Sequence, residues 1–245
     1  MRRLALVLAL LAPQAAMAAA CHDAVFEDTP FTVCQSGPRD DLRLFHSGPQ
    51  GLYGSFSAVN GELEAKGQRL GFAMNAGMYH ADRAPVGLYV EDGVETSAIV
   101  TRPGPGNFGM LPNGVFCIAP GTDRPYRLIE SRSFAAAPPG CRYATQSGPM
   151  LVIGGLLHPR LIPDSDSVYI RNGVGVDAAG QNAYLVIADQ PVNFHRFARF
   201  FRDALGLPDA LYFDGKISRL HAPELGRDDI GFSMGPIIGT VVPKG

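Results

Sequence analysis

Glycine and proline recur so often along this chain that few long helices can form. The 245-residue sequence contains 29 glycines and 20 prolines, which divide it into short apolar runs. Short runs that are rich in β-branched and aromatic side chains, and bounded by glycine or proline, favour strands. The pattern therefore predicts a sheet-rich fold with strands at residues 71–74, 86–90, 114–118, 150–153, 168–170, 183–188 and 210–213.

One segment departs from this pattern and has the period of an amphipathic helix. Beyond Pro191, the apolar side chains at helical spacing are Phe194, Phe197, Ala198, Phe201 and Leu205. Asn193 can cap the first turn, and Gly206 can end the last. We predict a helix over residues 193–205 whose aromatic stripe packs on the sheet.

The first twenty residues have the composition of an export signal. Two arginines at positions 2 and 3 precede an apolar run and then a stretch of small residues, which is the order found in secretory signal peptides. We predict a signal peptide over residues 1–20 and one folded domain over residues 21–245. No later run is long and apolar enough for a transmembrane helix, so the sequence predicts a periplasmic or secreted protein.

The four cysteines are even in number and widely spaced, which in an exported chain favours two disulfides. Three pairings are possible, and we favour Cys21–Cys34 and Cys117–Cys141. Zinc is disfavoured because no two cysteines have the spacing of zinc ligands. A lipid anchor at Cys21 is also disfavoured, because Ala18 fits poorly in a lipoprotein cleavage box.

Charge argues against nucleic acid as a partner. The sequence carries 21 basic and 23 acidic residues, a formal net charge of −2, and its basic residues are scattered. Proteins that bind nucleic acid usually show a clustered basic surface. No cofactor and no oligomeric state are predicted, and a divalent metal held by oxygen ligands stays open because such sites leave little trace in a sequence.

Five short blocks combine glycine with a polar side chain, as expected where the backbone approaches a ligand closely at a strand end. They lie at residues 74–80, 112–116, 146–150, 170–175 and 212–218. Each block alone is weak evidence, because glycine beside a polar residue is also the composition of an ordinary turn.

In order and spacing these blocks resemble those of the phosphodiester glycosidase family, over roughly residues 72–240. The family's Asn-Ala-Gly, Ser-Gly-Pro, Arg-small and late Asp-Gly blocks map onto residues 75–77, 147–149, 171–175 and 214–218. Many relatives have glycines and serines after the aspartate, where this chain has Lys216, Ile217 and Ser218. That departure places the chain in a bacterial side branch and leaves its exact substrate open.

The resemblance implies a hydrolase that cleaves a sugar from a sugar-1-phosphodiester, with a carbohydrate or phosphoglycan as its partner. The best-known activity of the family removes N-acetylglucosamine from a phosphodiester-linked mannose. It also implies a single α+β domain, with a mixed, largely antiparallel twisted sheet and at least one packed amphipathic helix. The alternative function is a non-catalytic envelope module that binds glycans or phosphoglycans in the same cleft.

Asp214 is the first candidate for a catalytic carboxylate, because glycosyl transfer needs negative charge beside an oxocarbenium-like transition state. The alternative is that Asp214 and Gly215 only form a hairpin turn. A second carboxylate is not identified, and Asp82, Glu91, Asp92, Asp164, Asp166, Asp177 and Asp189 are all candidates. A phosphate leaving group has a low pKa, so one carboxylate could suffice.

Arg171 is the candidate phosphate clamp, since a guanidinium can grip phosphate oxygens with two donors. Asn172 and Gly173 could add backbone amides in an anion-binding nest. The alternative for Arg171 is a structural salt bridge. The expected test is that Arg171→Lys impairs phosphodiester substrates far more than it impairs folding.

The remaining candidates are expected to orient the substrate or assist proton transfer. His80 could move a proton or bind phosphate, with an ordinary loop histidine as the alternative. Residues expected to line the pocket are Asn75, Gly77, Asn113, Ser147, Gly148 and Gly215. A serine hydrolase built on Ser147 is disfavoured, because the chain lacks the Gly-x-Ser-x-Gly elbow there.

Overall fold

Short strands dominate the fold, as the spacing of glycine and proline predicts. The structure is a computed structural model that describes residues 21–245, so the expected signal peptide lies outside the described residues. The strands are β1 Cys21–Phe26, β2 Thr29–Ser36, β3 Asp41–Phe45, β4 Ser47–Gly48, β5 Gly51–Leu52, β6 Gln68–Asn75, β7 Tyr89–Glu91, β8 Val94–Ser97, β9 Gly114–Ile118, β10 Tyr126–Glu130, β11 Tyr143–Ser147, β12 Met150–Ile153, β13 Leu156–Leu157, β14 Asn172–Val176, β15 Ala183–Ala188, β16 Asp209–Asp214, β17 Leu220–Ala222, β18 Arg227–Asp228 and β19 Ile237–Pro243. The α-helices are α1 Phe56–Glu64, α2 Ser131–Ala136 and α3 Phe194–Arg199.

The strands form three main sheets and one small hairpin. The seven-stranded sheet has the order β1-β2-β15-β14-β16-β12-β13, and the two five-stranded sheets have the orders β10-β9-β11-β7-β8 and β18-β17-β6-β19-β3. Every strand pair in the described chain is antiparallel. The expectation of a mixed sheet is therefore corrected, and the few short helices make the α+β fold dominated by its sheets.

The alternation of side chains along β16 shows how the core is built. Leu211 and Phe213 point into the central core that all three large sheets share. Ala210 and Tyr212 point to the opposite face, where the aromatic residues of α3 and the turn after it pack. A strand buried on both faces reads as a continuous apolar run rather than an alternating one, which explains why this segment was recognisable in the sequence.

Helix α3 begins as predicted and ends differently. The Asn193 side chain accepts a hydrogen bond from the Arg196 amide at 2.9 Å, as an N-cap does. After Arg199 the chain changes to a π-helical turn over Phe200–Ala204. This wider turn allows consecutive residues, Phe200 and Phe201, to be buried together, which a regular 3.6-residue period would not do.

Two disulfides have the favoured pairing. Cys21–Cys34 joins β1 to β2, and Cys117–Cys141 joins β9 to the segment before β11. No free cysteine remains among the described residues. The two bonds fit an extracellular location. None of the helices within residues 21–245 has the length and apolar character needed to cross a membrane.

Candidate active site

Three strands meet at one polar cluster between two of the sheets. β6 ends at Asn75, β14 begins at Asn172 and β16 ends at Asp214. The Asn75 side chain donates to Asn172 Oδ1 at 3.2 Å, and the Asn172 side chain donates to the Asn75 carbonyl at 2.6 Å. Asn172 Oδ1 also accepts from the Asp214 backbone amide at 3.2 Å. The cluster ties the seven-stranded sheet to the sheet that contains β6.

Both asparagine side chains are buried and bonded within this cluster. Asn75 Oδ1 accepts from the Arg219 backbone amide at 2.9 Å, and Asn172 Oδ1 accepts from the Ser218 hydroxyl at 3.3 Å. The structure thus brings Asn75 and Asn172 together with Asp214, although neither side chain lines the cleft described below. Their contacts hold the end of β16 and the loop that follows it.

The two oxygens of the Asp214 carboxylate lie in different environments. Oδ1 accepts the backbone amides of Gly215 at 2.6 Å and Lys216 at 3.0 Å, as an aspartate that opens a turn does. Oδ2 has no hydrogen bond or ion pair with any residue from 21 to 245. The turn and the site interpretations are therefore compatible, because one oxygen holds the turn and the other is available.

Asp214 lines a cleft of about 530 Å³. Aromatic side chains of Tyr79, Phe108, Tyr169 and Tyr212 form part of its wall. Asp214 is the only carboxylate among the lining residues that the structure describes, so the second carboxylate left open in the sequence has no counterpart in this cleft. An apolar wall with a few polar groups is typical of a site for a small molecule.

Tyr79 is one of the polar residues of this cleft that the sequence analysis did not single out. Its hydroxyl is buried, and the Gly235 backbone lies near it without making a well-aligned hydrogen bond. Burial raises the pKa of Tyr79, and the charge of Asp214 raises it further. A neutral phenol beside a carboxylate can donate a hydrogen bond to a ligand. The signal was present, because Tyr79 stands in the first glycine block beside His80.

His80, by contrast, is exposed and does not line the cleft. Its backbone closes a tight loop, in which the His80 amide donates to the Ala84 carbonyl and the Arg83 amide donates to the His80 carbonyl. Tyr79, the preceding residue, lines the cleft instead. The sequence prediction was therefore one position away from the residue that faces the cleft. The loop-histidine alternative describes His80 in this structure.

Arg171 lies behind the wall of the cleft, with only 1% of its surface exposed. Nε donates to the Val192 carbonyl at 2.8 Å, and Nη2 donates to the Ser167 carbonyl at 2.8 Å. Nη1 donates to the Tyr212 hydroxyl at 3.3 Å, and the guanidinium stacks 3.7 Å from the centre of the Phe194 ring. The predicted direct grip on phosphate is not seen, because these contacts occupy each of its nitrogens. No described carboxylate pairs with it either.

Tyr212 connects Arg171 to the cleft. Its ring lines the cleft, and its hydroxyl accepts the hydrogen bond from Arg171. Burial raises the pKa of Tyr212 well above its ordinary value, although the adjacent guanidinium opposes that shift. The arginine thus reaches the candidate site through a neutral tyrosine.

Gly173 does not form the expected nest, because it lies inside β14 and pairs with Val186 and Tyr212. Glycine is needed there for packing, since a Cβ atom would lie 2.5 Å from the Leu211 carbonyl oxygen. Gly77 is explained in the same way. A Cβ atom at Gly77 would lie 2.6 Å from the carbonyl oxygen of Gln146.

The Ser-Gly-Pro block supports the cleft from the interior. The Ser147 hydroxyl donates to the Phe213 carbonyl at 3.1 Å, one residue before Asp214, and is fully buried. That position does not suit a nucleophile. A Cβ atom on Gly148 would lie 2.6 Å from Asn113 Cβ. The Asn113 side chain in turn donates to the carbonyl of Phe108, which is part of the cleft wall.

Gln146 has a larger role than the sequence indicated. Its Nε2 donates to the Ser131 hydroxyl at 2.7 Å and to the Val100 carbonyl at 2.6 Å. Its Oε1 accepts the backbone amides of Leu88 and Val100, each at 3.0 Å. A buried glutamine that satisfies loop backbone groups fixes the segment leading to Phe108.

Among residues 21–245, no three or more His, Cys, Asp or Glu side chains gather as metal ligands would. Within that part of the chain, the polar residues that line the cleft are Asp214, Lys216, Asn107, Ser167 and the tyrosines Tyr79, Tyr169 and Tyr212. A Cβ atom on Gly215 would lie 2.3 Å from the Tyr212 hydroxyl, so glycine allows this loop to lie against the ring.

The fold and the cleft define an antiparallel, three-sheet protein with one carboxylate presented at a meeting point of strands. The family model for phosphodiester glycosidases, NAGPA, matches residues 68–220, which include Asn75, Arg171 and Asp214. The chain belongs to the phosphodiester glycosidase family. The resemblance read from the glycine blocks is thereby confirmed.

The chain is also similar to a bacterial protein in sequence and to solved structures in fold. The Escherichia coli (strain K12) protein YigE, described as uncharacterized, is 33% identical over 225 residues, covering 90% of this chain and 85% of YigE. The catalytic domain of zebrafish N-acetylglucosamine-1-phosphodiester alpha-N-acetylglucosaminidase, auto-inhibited by its pro-peptide, has a similar fold. It gives a TM-score of 0.58 at 13% identity, over 90% of this chain and 81% of that chain. A hypothetical protein from Synechocystis also gives 0.58, at 14% identity, over 91% and 61% of the two chains.

Proposed function

We propose that the protein is an exported hydrolase that cleaves a sugar from a sugar-1-phosphodiester or a related envelope glycan. Membership of the phosphodiester glycosidase family supports a glycosidase-type activity. The observation that carries the proposal is the carboxylate of Asp214, which lines the cleft with Oδ2 unbonded while backbone amides hold Oδ1. The predicted signal peptide and the disulfides support action in the periplasm or outside the cell.

The reaction is hydrolysis at the anomeric carbon. The oxygen of water forms a bond to that carbon, and the bond from the carbon to the phosphate oxygen breaks. The electron pair leaves with the phosphate, so the products are a free sugar and a phosphomonoester. Asp214 would stabilise the positive charge on the sugar in the transition state and accept the proton of the attacking water.

Tyr79 and Tyr212 would complete the site around that carboxylate. The hydroxyl of Tyr79 has no well-aligned partner in the described chain, so it would donate to a substrate group that reaches it when the ligand is bound. Arg171 is a positioning residue in this proposal, because it acts on the cleft through the Tyr212 hydroxyl. Three further positioning residues would hold the end of β16, namely Asn75, Asn172 and Ser147.

The direct test is to incubate residues 21–245 with a panel of sugar-1-phosphodiesters and to measure released sugar. N-acetylglucosamine-1-phosphodiesters come first, because the zebrafish relative is named for that substrate. We expect release from at least one member and loss of release in Asp214→Asn. A panel with no release, from protein that is folded by circular dichroism, would contradict the hydrolase proposal.

The second candidate function is a glycan-binding module without turnover. The aromatic wall of Tyr79, Tyr169 and Tyr212 favours it, because sugars commonly bind against aromatic rings. Calorimetry separates the two functions. Binding of the same phosphodiesters without any release of sugar would support the module, and release would support the hydrolase.

A further inference from the structure

A second groove lies beside the candidate active-site cleft. It has a volume of about 630 Å³ and shares one wall with the cleft, formed by Tyr169, Gly215, Lys216 and Ile217. The loop after Asp214 is therefore common to both cavities. A ligand that extends across this loop can occupy the two together.

Four large apolar side chains lie exposed in this groove. Ile230 is 91% exposed, Phe232 82%, Tyr169 49% and Val168 48%, and all four line the groove. Exposed apolar residues that are scattered singly need no explanation, whereas a group of them around one cavity marks a binding surface.

The same groove contains a guanidinium without a bonding partner. Arg219 is only 9% exposed, and its side chain makes no hydrogen bond or ion pair with any residue between 21 and 245. Its backbone amide is held by Asn75 Oδ1, so the residue is fixed next to the strand-end cluster. Burying a charge without a partner costs free energy, which an anionic ligand would recover.

The two carboxylates of the groove bind another arginine, and Asp229 acts on Arg219 only through space, without a hydrogen bond or ion pair. Arg227 Nη2 pairs with Asp229 Oδ2 at 2.9 Å, and Arg227 Nη1 pairs with Asp189 Oδ1. Asp229 Oδ2 also accepts the Leu220 backbone amide at 2.9 Å. In the described chain the groove lining therefore has a net positive charge beside its apolar surface, because Lys216 and Arg219 add to the Arg227 charge while only two carboxylates, Asp189 and Asp229, oppose it.

We propose that this groove binds the phosphate and an apolar chain of the substrate, while the sugar occupies the neighbouring cleft. The substrate class is then a sugar joined through phosphate to an alkyl or isoprenoid chain. Arg219 binds the phosphate oxygens, and Ile230 and Phe232 contact the chain. This inference rests on the proposed hydrolase function for the sugar half of the substrate, but the groove can be tested without it.

The first test measures the binding of butyl, hexyl and octyl phosphate, which contain no sugar, by calorimetry below their micelle concentrations. We expect affinity to rise about two- to fourfold for each added methylene group. Phe232→Ser and Ile230→Ser should reduce that rise. Leu156→Ser is the matched control, because Leu156 is 72% exposed and lies outside the groove. Arg219→Met should weaken octyl phosphate at least tenfold and leave any binding of uncharged octyl glucoside unchanged.

Affinity that does not depend on chain length, or a dependence that survives Phe232→Ser, would overturn the groove proposal. So would a stable dimer of the wild type that Phe232→Ser converts to monomer, since a second copy would then cover the surface. The second test compares hydrolysis of two substrates that share sugar and phosphate but carry methyl or decyl groups. Faster hydrolysis of the decyl substrate than of the methyl substrate, with a smaller difference in Phe232→Ser, supports the proposal. No release from these substrates or from the panel of sugar-1-phosphodiesters would refute the hydrolase function, and the alkyl phosphate data would still decide the groove.

Discussion

Asp214 performs two tasks with one carboxylate, and a single substitution can separate them. Asn also opens turns well, so Asp214→Asn should keep the Oδ1 contacts to Gly215 and Lys216. If Oδ2 supplies charge to the transition state, turnover should fall about a hundredfold or more while affinity changes little. Turnover and melting temperature should be measured beside Asp209→Asn, a control at the other end of β16. Normal turnover in a folded Asp214→Asn protein would remove the catalytic role.

Tyr79 offers a cleaner test, because only one atom changes in Tyr79→Phe. The hydroxyl has no well-aligned partner in the described chain, so the melting temperature should stay the same or rise slightly. Loss of a hydrogen bond to the substrate should lower turnover about tenfold or more. Tyr184→Phe on β15 is the control. Equal activity of the two variants would exclude Tyr79 from the site.

Because Arg171 is buried, we expect Arg171→Lys to lower stability, which is the reverse of the prediction from the sequence. Lysine cannot reproduce the bonds to Val192 and Ser167 together with stacking on Phe194. We expect a loss of about 3 kcal/mol in the free energy of unfolding, measured by urea denaturation. Arg142→Lys, in an exposed pair with Asp92, should lose less than about 0.5 kcal/mol. Unchanged stability with impaired turnover would restore the original phosphate-clamp prediction.

At the residue scale, sequence patterns located the site better than they assigned roles within it. The glycine blocks contained Asp214, Asn75 and Tyr79, and the structure brings these residues together. The roles of Arg171, Asn172 and Ser147 depended on which way each side chain points. Direction at a strand end is set by register and by bulges such as the one between Asn172 and Gly173, and neither is visible in a single sequence.

At the scale of elements, Glu91 links two sheets and should make stability depend on pH. Glu91 Oε2 accepts the Tyr89 hydroxyl at 2.9 Å on β7 and the His46 amide at 3.1 Å, just after β3. Burial raises the pKa of Glu91 from 4.5 to about 7. The folded state therefore holds this proton more tightly than the unfolded state, so stability should fall as the pH rises from about 4.5 to about 7.

Glu91→Gln should remove this loss, which we expect to be on the order of 1 kcal/mol because the side chain is partly exposed. The measurement is the free energy of unfolding at pH 5 and pH 8, for wild type, Glu91→Gln and the exposed-strand control Glu95→Gln. The Glu91 variant should gain stability relative to wild type only at pH 8. A gain of equal size at both pH values would argue against a raised pKa.

Strands buried on both faces were easy to predict, whereas shorter or exposed elements were not. The bounds of β9, β12 and β15 agree with the sequence prediction, because each is a dense run of apolar residues. Residues 168–170 form no strand, and only Tyr169 makes an isolated bridge, to Val192. The apolar residues of this segment, Val168, Tyr169 and Ile170, line the exposed groove instead. Strands β1 to β3 were missed because polar residues interrupt their apolar pattern.

At the scale of the whole molecule, the disulfides should be formed in protein taken from the periplasm. Thiol titration of the denatured but unreduced protein should find no free cysteine. Four free thiols would contradict both export and the oxidised fold. Cys117→Ser with Cys141→Ser opens a loop with a sequence separation of 24, and it should lower the free energy of unfolding by about 3 kcal/mol. A loss below about 0.5 kcal/mol would show that the bond stabilises little.

The polar cluster of Asn75, Asn172 and Asp214 has a consequence for how such a protein can diversify. Because the two amides join two sheets, replacing either one disturbs the architecture along with the chemistry. Residues 79, 86, 105–107 and 215–217 line the cleft, and their side chains make no hydrogen bond to either asparagine. New ligand preferences can therefore arise by exchange of loops while the sheets stay unchanged, and Lys216 and Ile217 lie in one of those loops.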